Sequence, residues 1–254
     1  MTRREEEAIV LSVDKSRSAD RVVSLIGETG ELLRAYAPAA AKSKRRFAGA
    51  LLPGAVVRAS WTVRREGSMP VLDELQLLHE PPSPEPLERF YVVCHLLELA
   101  VAFAREGDEN PRTYRLLQAV LRRIARGDPA SPLARYFEAW TLRLSGLLPE
   151  FDRCAVCGEP LERSSVAVSP ERGASCAEHA GPGSVTLTPS AASWIDSTRV
   201  RSPSRMERLS RADDARVARL CHRLIVSFTE RPMRSWPALA AMLEGASERA
   251  EDAG

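Results

Sequence analysis

The chain has few residues of the kinds that most often carry chemistry. Among its 254 residues there are four histidines and five cysteines, aromatic residues make up 6%, and lysine occurs only at positions 15, 42 and 44. No glycine-rich phosphate-binding loop of a standard type is present. No histidine outside the cysteine motifs has a serine or cysteine nucleophile placed for it by a known motif. We therefore expect a binding protein and not an enzyme.

The sequence also lacks a long uncharged apolar run. The longest, residues 90–103, contains His95 and Glu98 and is too short to span a bilayer. The first residues are charged, with no apolar signal-peptide region behind them. Cys94 and Cys221 lie in apolar helical patterns typical of small core residues. These features predict a reduced protein of the cytoplasm.

The remaining three cysteines belong to a pattern typical of a metal site. Cys154-Ala-Val-Cys157 is followed by Cys176-Ala-Glu-His179. Two residues separate the donors of each pair, a spacing that lets one tight turn direct both side chains at a single ion. Four protein ligands complete a tetrahedron around Zn²⁺, so we predict a structural zinc site. A redox pair would lack its βαβ setting, and a zinc deaminase would need an H-x-E segment upstream. A zinc enzyme with an open coordination position is the weakest alternative.

Residues 1–80 have the pattern of a small β-domain. Short runs rich in β-formers at 8–13, 22–26, 32–37, 56–63 and 71–78 are separated by turn sequences. Five short strands in this length favour a closed OB-fold barrel that binds nucleic acid. Residues 80–86 contain four prolines and predict an extended linker, because proline fixes φ and removes a hydrogen-bond donor.

After this linker the apolar period becomes helical. Helices are predicted at 87–105, 110–126, 131–144, from 189, at 212–229 and at 236–243. The metal motif interrupts this series. We therefore predict an α+β multidomain protein: an OB-fold domain at 1–80, a helical domain at 81–149 and 184–245, a zinc-binding module inserted at 150–183, and a flexible tail at 246–254.

Positive charge is concentrated in one part of the barrel sequence. No acidic residue occurs from Leu32 to Arg65. An uncompensated basic stretch on an OB-like barrel predicts binding to a nucleic-acid backbone. Tyr36, Phe47 and Trp61 could stack on bases, although packing in the core is the commoner role. A solvated loop is the alternative for the charge. The candidate DNA-binding residues are Arg34, Lys42, Lys44, Arg45, Arg46, Arg58, Arg64 and Arg65.

Several segments together resemble the bacterial RecO family. They are residues 7–11, 18–25, 42–47 and 49–54, and most strongly 137–158, which ends in Cys154-x-x-Cys157-Gly158. Two departures are evident. Residues 37–41 read Ala-Pro-Ala-Ala-Ala where family members often have a Lys-Gly-Ala-Arg-like loop, and His179 stands where the family commonly has a fourth cysteine.

The resemblance implies a recombination mediator that binds single- and double-stranded DNA and anneals complementary strands. It further implies contact with the acidic tail of single-stranded DNA-binding protein through the helical body, and help, with RecR, in loading RecA. Such a protein is expected in the cytoplasm, at the nucleoid during repair, and annealing needs no hydrolysed cofactor. The alternative is a zinc-containing interaction scaffold that does not bind DNA directly.

Overall fold

The computed structural model describes residues 2–43, 45–65, 67–161 and 165–242. The chain forms two compact units, Met1–Asp128 and Pro129–Gly254. Each unit has its own sheet. The tail predicted at 246–254 lies outside the described residues.

The first unit is built on a closed five-stranded barrel. Its strands are β1 (Thr2–Lys15), β2 (Arg21–Gly27), β3 (Leu32–Ala37), β4 (Val56–Val63) and β5 (Val71–His79). Their order around the barrel is β1-β2-β3-β5-β4, and β1 also pairs with β4. Only β3 and β5 run parallel among these pairs. The predicted OB-like barrel is confirmed.

Alternate residues of the strands fill the barrel. The core cluster includes Val23, Leu25, Val57, Ala59 and Trp61. Successive side chains of a strand point to opposite faces, so Arg58, between two core residues of β4, faces outward and is exposed. The connection between β3 and β4 adds Ala40, Phe47 and Ala50 to the same core. This connection therefore closes the barrel as well as joining two strands.

Two helices complete the first unit. The proline-rich segment 80–86 has no helix or strand, as predicted, and leads into α1 (Leu87–Phe103) and α2 (Pro111–Ala125). The side chain of Asn110 accepts a hydrogen bond from the backbone N–H of Arg112, and Pro111 occupies the first turn. The start predicted for α2 is therefore confirmed.

Direct contacts join α2 and the preceding loop to the barrel. The carboxylate of Glu7 on β1 accepts hydrogen bonds from the Tyr114 hydroxyl at 2.7 Å and the Gln118 amide at 2.9 Å. Gly30 has a φ of +85°, and a Cβ there would lie 1.9 Å from the carbonyl oxygen of Asn110. The barrel, α1 and α2 consequently belong to one compact unit. The division predicted from the sequence, with a boundary at residue 80, stays a prediction.

The second unit combines helices with a small sheet. Helix α3 (Ala130–Leu144) precedes strands β6 (Val166–Ser169), β7 (Gly173–Ser175) and β8 (Val185–Leu187), and helices α4 (Pro189–Ser197) and α5 (Arg211–Thr229) follow. Residues 236–242 are also helical. Strand β6 lies between β7 and β8. The sheet falls between α3 and α4, where the inserted module was predicted.

Helix α3 begins one residue before the start predicted from the sequence, at Ala130 after Pro129, and no side chain caps its N-terminus. The hydroxyl of Ser131 donates to the Asp214 carboxylate of α5 at 2.8 Å. Arg135 and Glu138 of α3 form an ion pair at 2.7 Å that is almost fully buried. The Ser131 hydroxyl thus joins two helices, a contact that the sequence did not reveal.

No helix within the described ranges is both long and apolar enough to cross a membrane.

The thiol of Cys221 is fully buried, and this burial raises its pKa well above the usual value. Cys221 is therefore a core residue, as predicted. Cys94 is partly exposed on α1.

Acidic residues gather at the turn between β2 and β3. The carboxylate of Glu6 on β1 lies where a side chain on Gly27 would be. Burial, followed by the charges of Glu28 and Glu31, raises the pKa of Glu6 from its usual 4.5 to about 7. A raised pKa means that the folded protein favours the protonated form. The contribution of Glu6 to stability is therefore full below pH 4.5 and is lost as pH rises through 7.

We predict that Glu6→Gln stabilises the protein at pH 8 and changes little at pH 4.5. Because Glu6 is only partly buried, we expect a gain on the order of 1 kcal/mol in the free energy of unfolding, well below the full value of the shift. Urea denaturation followed by circular dichroism at both pH values measures it. Glu5→Gln, on the exposed part of β1, is the control. An equal gain at both pH values would contradict the prediction.

Candidate nucleic-acid interface and metal centre

The predicted basic residues of the barrel occupy three places. Arg34 lies on the outer face of β3 and Arg58 on that of β4. Lys42, Arg45 and Arg46 lie on the connection between β3 and β4. Arg64 and Arg65 follow β4, and Lys44 is outside the described residues. All the described members of this set are exposed except Arg46, which is half-buried.

Arg46 is held by the protein itself. Its guanidinium donates to the carbonyl oxygen of Pro38 at 2.7 Å and lies over the ring of Phe47, 4.9 Å from the centroid. Its carbonyl oxygen accepts a hydrogen bond from the N–H of Leu75 on β5. Arg46 therefore fastens the β3–β4 connection to the barrel, a role that the sequence did not reveal.

Arg58 lies apart from the other basic residues. In the sheet it is registered with Glu7 of β1 and Gln76 of β5. Its guanidinium is 3.9 Å from the carboxylate of Glu5, and both side chains are about half exposed. An exposed pair of this kind adds little stability, but it partly cancels the charge that Arg58 could offer to a phosphate.

The end of β3 brings three connecting segments together. The Tyr36 hydroxyl donates to the carboxylate of Asp20 in the β1–β2 loop at 2.5 Å. The N–H of Tyr36 donates to the carbonyl oxygen of Pro70 in the β4–β5 loop at 2.8 Å. The N–H of Ala41, at the start of the β3–β4 connection, donates to Ala19. The loops that bind nucleic acid in OB-folds are the β1–β2 and β4–β5 loops.

This arrangement adds basic residues that the sequence analysis missed. Lys15 and Arg17 are exposed in or beside the β1–β2 loop, and Arg21 is half-buried at the start of β2. Asp14 and Asp20 interrupt the charge pattern there, which hid these residues from a search for an acid-free run. The known role of the β1–β2 loop in OB-folds was the signal that could have found them.

The three aromatic residues of the basic stretch differ in burial. Phe47 is 2% exposed and Trp61 5% exposed, and both belong to the barrel core. Tyr36 is partly exposed, since its neighbours Ala35 and Ala37 take the inward positions of β3. Phe47 and Trp61 thus have the packing role that the sequence favoured, and only Tyr36 of the three is left on the surface.

In the metal motif, each pair of donors lies on a tight turn. Gly158 has a φ of +74°, and its N–H donates to the carbonyl oxygen of Cys154 at 2.9 Å. A short 3₁₀ turn, Ala177–His179, carries the second pair. The N–H of Ala155 donates to Ala174 of β7 at 2.8 Å, which joins the two turns.

The donor atoms of Cys154, Cys157, Cys176 and His179 all lie within 4.8 Å of one another. Nδ1 of His179 is 3.1 Å from Sγ of Cys176 and 3.9 Å from Sγ of Cys154. Typical Zn–S and Zn–N bond lengths give a tetrahedral edge of about 3.5 Å, so the four residues fit one ion. The structure brings together every predicted metal ligand, and the cluster could hold a metal ion.

The backbone also prepares one thiol for a metal. The pKa of the Cys154 thiol is lowered to about 6, and the largest cause is a hydrogen bond from the backbone N–H of Cys157. The N–H groups of Cys176 and Val156 act in the same direction, and burial opposes them. A thiolate is the form that binds a metal, so the donor set is chemically suited to a cation.

The second unit also contains a basic groove. Its volume is about 870 Å³, and β8, the β6–β7 turn, α5 and the 236–242 segment line it. Arg216, Arg219 and Arg223 lie on α5, and Trp236 stacks on His222 with ring centroids 3.9 Å apart. Arg223 packs so tightly on Gly183 that a Cβ there would be 2.2 Å from its guanidinium. Besides these arginines, apolar side chains and the carboxylate of Glu171 line the groove.

Comparison with known proteins points to one family. The model for the N-terminal part of recombination protein O matches residues 1–81, and the model for its C-terminal part matches residues 84–237. The two matches meet in the proline-rich segment between β5 and α1.

Similar curated proteins include three named DNA repair protein RecO. Those of Koribacter versatilis and Desulforudis audaxviator are each 36% identical, over 63% and 62% of this chain and 65% and 63% of their own length. That of Anaeromyxobacter dehalogenans strain 2CP-1 is 30% identical over 77% of both chains. The chain thus spans less than two thirds of the first two relatives. From these matches and the architecture described above, the chain belongs to the RecO family.

Proposed function

We propose that this chain is a DNA-binding recombination mediator that anneals complementary single strands in DNA repair. With RecR, it would help load RecA onto DNA coated by single-stranded DNA-binding protein, acting in the cytoplasm at the nucleoid. The observation that carries this proposal is the convergence of basic residues from three segments at the end of β3. Several relatives bear the name DNA repair protein RecO, which supports the same role.

The chemistry of annealing fits this surface. Two strands repel each other through their phosphates, and a basic platform reduces that repulsion by taking the place of bound counterions. The step needs no bond to be broken and no hydrolysed cofactor. We therefore propose a role without catalysis, in which RecR, RecA and both forms of DNA are partners.

We predict that neutralising Arg45, Arg64 and Arg65 together, each to Gln, weakens binding to single-stranded DNA of any sequence. Losing three phosphate contacts should reduce the slope of log K against log salt by about 2. Fluorescence anisotropy of a labelled strand across a salt series measures this, and addition of the complementary strand measures annealing.

The matched control for this variant neutralises Arg112, Arg115 and Arg122 on α2, which are exposed outside the barrel. Equal losses in the two triple variants would show that net charge and not the barrel surface determines binding. Unchanged binding in the barrel variant would remove these residues from the interface.

We also propose that the metal is zinc and that its role is structural. Two thiolates on one turn and a thiolate with an imidazole on the other are ligands that zinc prefers, and four protein donors leave no open position. When bound, the ion would fix the two turns relative to each other, while the four side chains would be held deprotonated at the donor atoms.

We predict that Cys157→Ser lowers zinc content and disorders residues 150–183 while the barrel stays folded. Zinc binding at such sites provides on the order of 10 kcal/mol, comparable with the stability of a whole domain. Atomic absorption and limited proteolysis measure the two effects. Cys94→Ser, which changes a cysteine outside the cluster, is the control. Full zinc content and an unchanged digestion pattern in Cys157→Ser would be incompatible with this role.

For the contact with single-stranded DNA-binding protein, we propose the basic groove of the second unit. The acidic tail of that protein requires cations, and any apolar side chain in it requires apolar contacts such as Val185, Val226 and Trp236. The arginines of α5 and these apolar residues line one groove, which supports the assignment. This surface also favours the alternative function, a protein-interaction scaffold without direct DNA binding.

We predict that Arg219→Ala weakens binding of a peptide copying the acidic tail by roughly three- to tenfold, as expected for loss of one charge-assisted contact. Isothermal titration calorimetry measures the affinity, with Arg112→Ala on α2 as the control. If the peptide binds both variants and the parent protein equally, the groove is not its site. Peptide binding without any DNA binding would favour the scaffold.

A further inference from the structure

We infer that Tyr36 is the side chain on which a DNA base stacks, and that Asp20 is the positioning residue that fixes it. This inference rests on the proposed DNA-binding function and deepens it: the barrel surface would recognise bases as well as phosphates.

Tyr36 lies on the outer face of β3 where the barrel closes. Its ring is partly exposed, and Arg34, two residues earlier, projects from the same face of the strand because side chains alternate. The β4–β5 loop, with Arg64 and Arg65, ends at Pro70, which is bonded to the backbone of Tyr36. An aromatic ring among cations that can hold the backbone is the usual arrangement of a single-strand binding surface.

Two hydrogen bonds hold this tyrosine. Its hydroxyl donates to Oδ2 of Asp20 at 2.5 Å, and its N–H donates to Pro70 at 2.8 Å. Bonding to Asp20 raises the pKa of Tyr36, so the phenol keeps its proton. A ring that is already fixed loses little entropy when a base stacks on it, and such preorganisation increases affinity.

Asp20 would otherwise be out of place at a phosphate-binding surface. It is an acid between Arg17 and Arg21, and its charge opposes the approach of a phosphate. Its carboxylate accepts hydrogen bonds from the Tyr36 hydroxyl and from the N–H of Ala39 at 2.8 Å, and these lower the pKa of Asp20, that from Tyr36 most. Ala39 has a φ of +53°, an uncommon conformation for a residue with a side chain. Asp20 thus ties the β1–β2 loop to the end of β3 and to the basic connection that follows.

The other aromatic residues of the basic stretch are unsuited to this role. Phe47 and Trp61 are in the barrel core, and exposing either would disrupt packing. Tyr36 can meet a base without any rearrangement of the core. This difference in burial, which the sequence alone did not show, selects Tyr36 from the three candidates.

The test compares two labelled strands of equal length and charge, oligothymidylate and an abasic deoxyribose-phosphate strand. The quantity measured by fluorescence anisotropy is the ratio of the two dissociation constants. We expect the parent protein to bind oligothymidylate about tenfold more tightly, since stacking of a base on one aromatic side chain commonly contributes a factor of this order. Tyr36→Ala should bring the ratio close to one, because it lowers the affinity for oligothymidylate far more than the affinity for the abasic strand.

Three further variants separate stacking from stability. Tyr36→Phe keeps the ring but loses its hydrogen bond to Asp20, so it should lower the preference only in part, by about as much as Asp20→Ala and by less than Tyr36→Ala. Asp20→Ala keeps the whole tyrosine but frees its ring, and should lower the affinity for oligothymidylate more than the affinity for the abasic strand. Phe90→Ala removes an exposed aromatic ring from α1 and should change neither constant. Thermal unfolding of every variant shows that the barrel is intact.

The outcomes distinguish the inference from the function on which it rests. If the parent protein binds neither strand, the proposed DNA-binding function fails. If it binds both strands equally, or if Tyr36→Ala keeps the preference for bases, DNA binding stands and the role of Tyr36 is overturned. A loss of affinity for both strands by the same factor in Tyr36→Ala would show that the residue serves the fold alone.

Discussion

The barrel closes between β3 and β5, and the rest of the first unit depends on this closure. The four other strand pairs are antiparallel and extend over several residues, whereas β3 and β5 run parallel and are registered at Tyr36 and Val71. A short parallel pairing contributes few ladder hydrogen bonds. The bonds from Tyr36 to Pro70 and Asp20 strengthen it. Closure and the convergence of the basic loops are therefore consequences of the same contacts.

The positive and negative charges of the barrel lie on different connections between its strands. The net charge is only +2, yet the loops around Asp20 and Pro70 are rich in arginine, whereas the β2–β3 turn is rich in glutamate. Burial is the largest cause of the raised pKa of Glu6, and the charges of Glu28 and Glu31 at that turn add to it. A barrel with opposite charge at different places can orient a polyanion before contact, although its overall charge attracts one only weakly.

The sequence predicted those parts of the structure that are set by local pattern. Alternating residues identified the five strands, and the proline-rich segment identified the break before α1. Donor spacing identified all four residues of the cluster that could hold a metal ion. Contacts between distant residues were not predictable in this way. The Ser131 hydroxyl donates to Asp214 and joins α3 to α5. Tyr114 and Gln118 donate to the carboxylate of Glu7 and attach α2 to the barrel. Arg17 was missed for the same reason. Asp20 interrupts the basic pattern in the sequence, and only the fold shows that its carboxylate is bonded to the Tyr36 hydroxyl.

The metal cluster and the basic groove of the second unit are physically connected. Cys176 directly follows β7, which pairs with β6, and the turn between these strands supplies Pro170 and Glu171 to the groove. Strands β6 and β8 pack against α5, which supplies the arginines. The three strands have only three or four residues each, shorter than the usual five or six, so the sheet depends on packing against α5 and on its connecting turns. Holding its turns by four donors at a single ion would fix one wall of the groove, and a structural metal would in this way determine the shape of a binding surface that it does not touch.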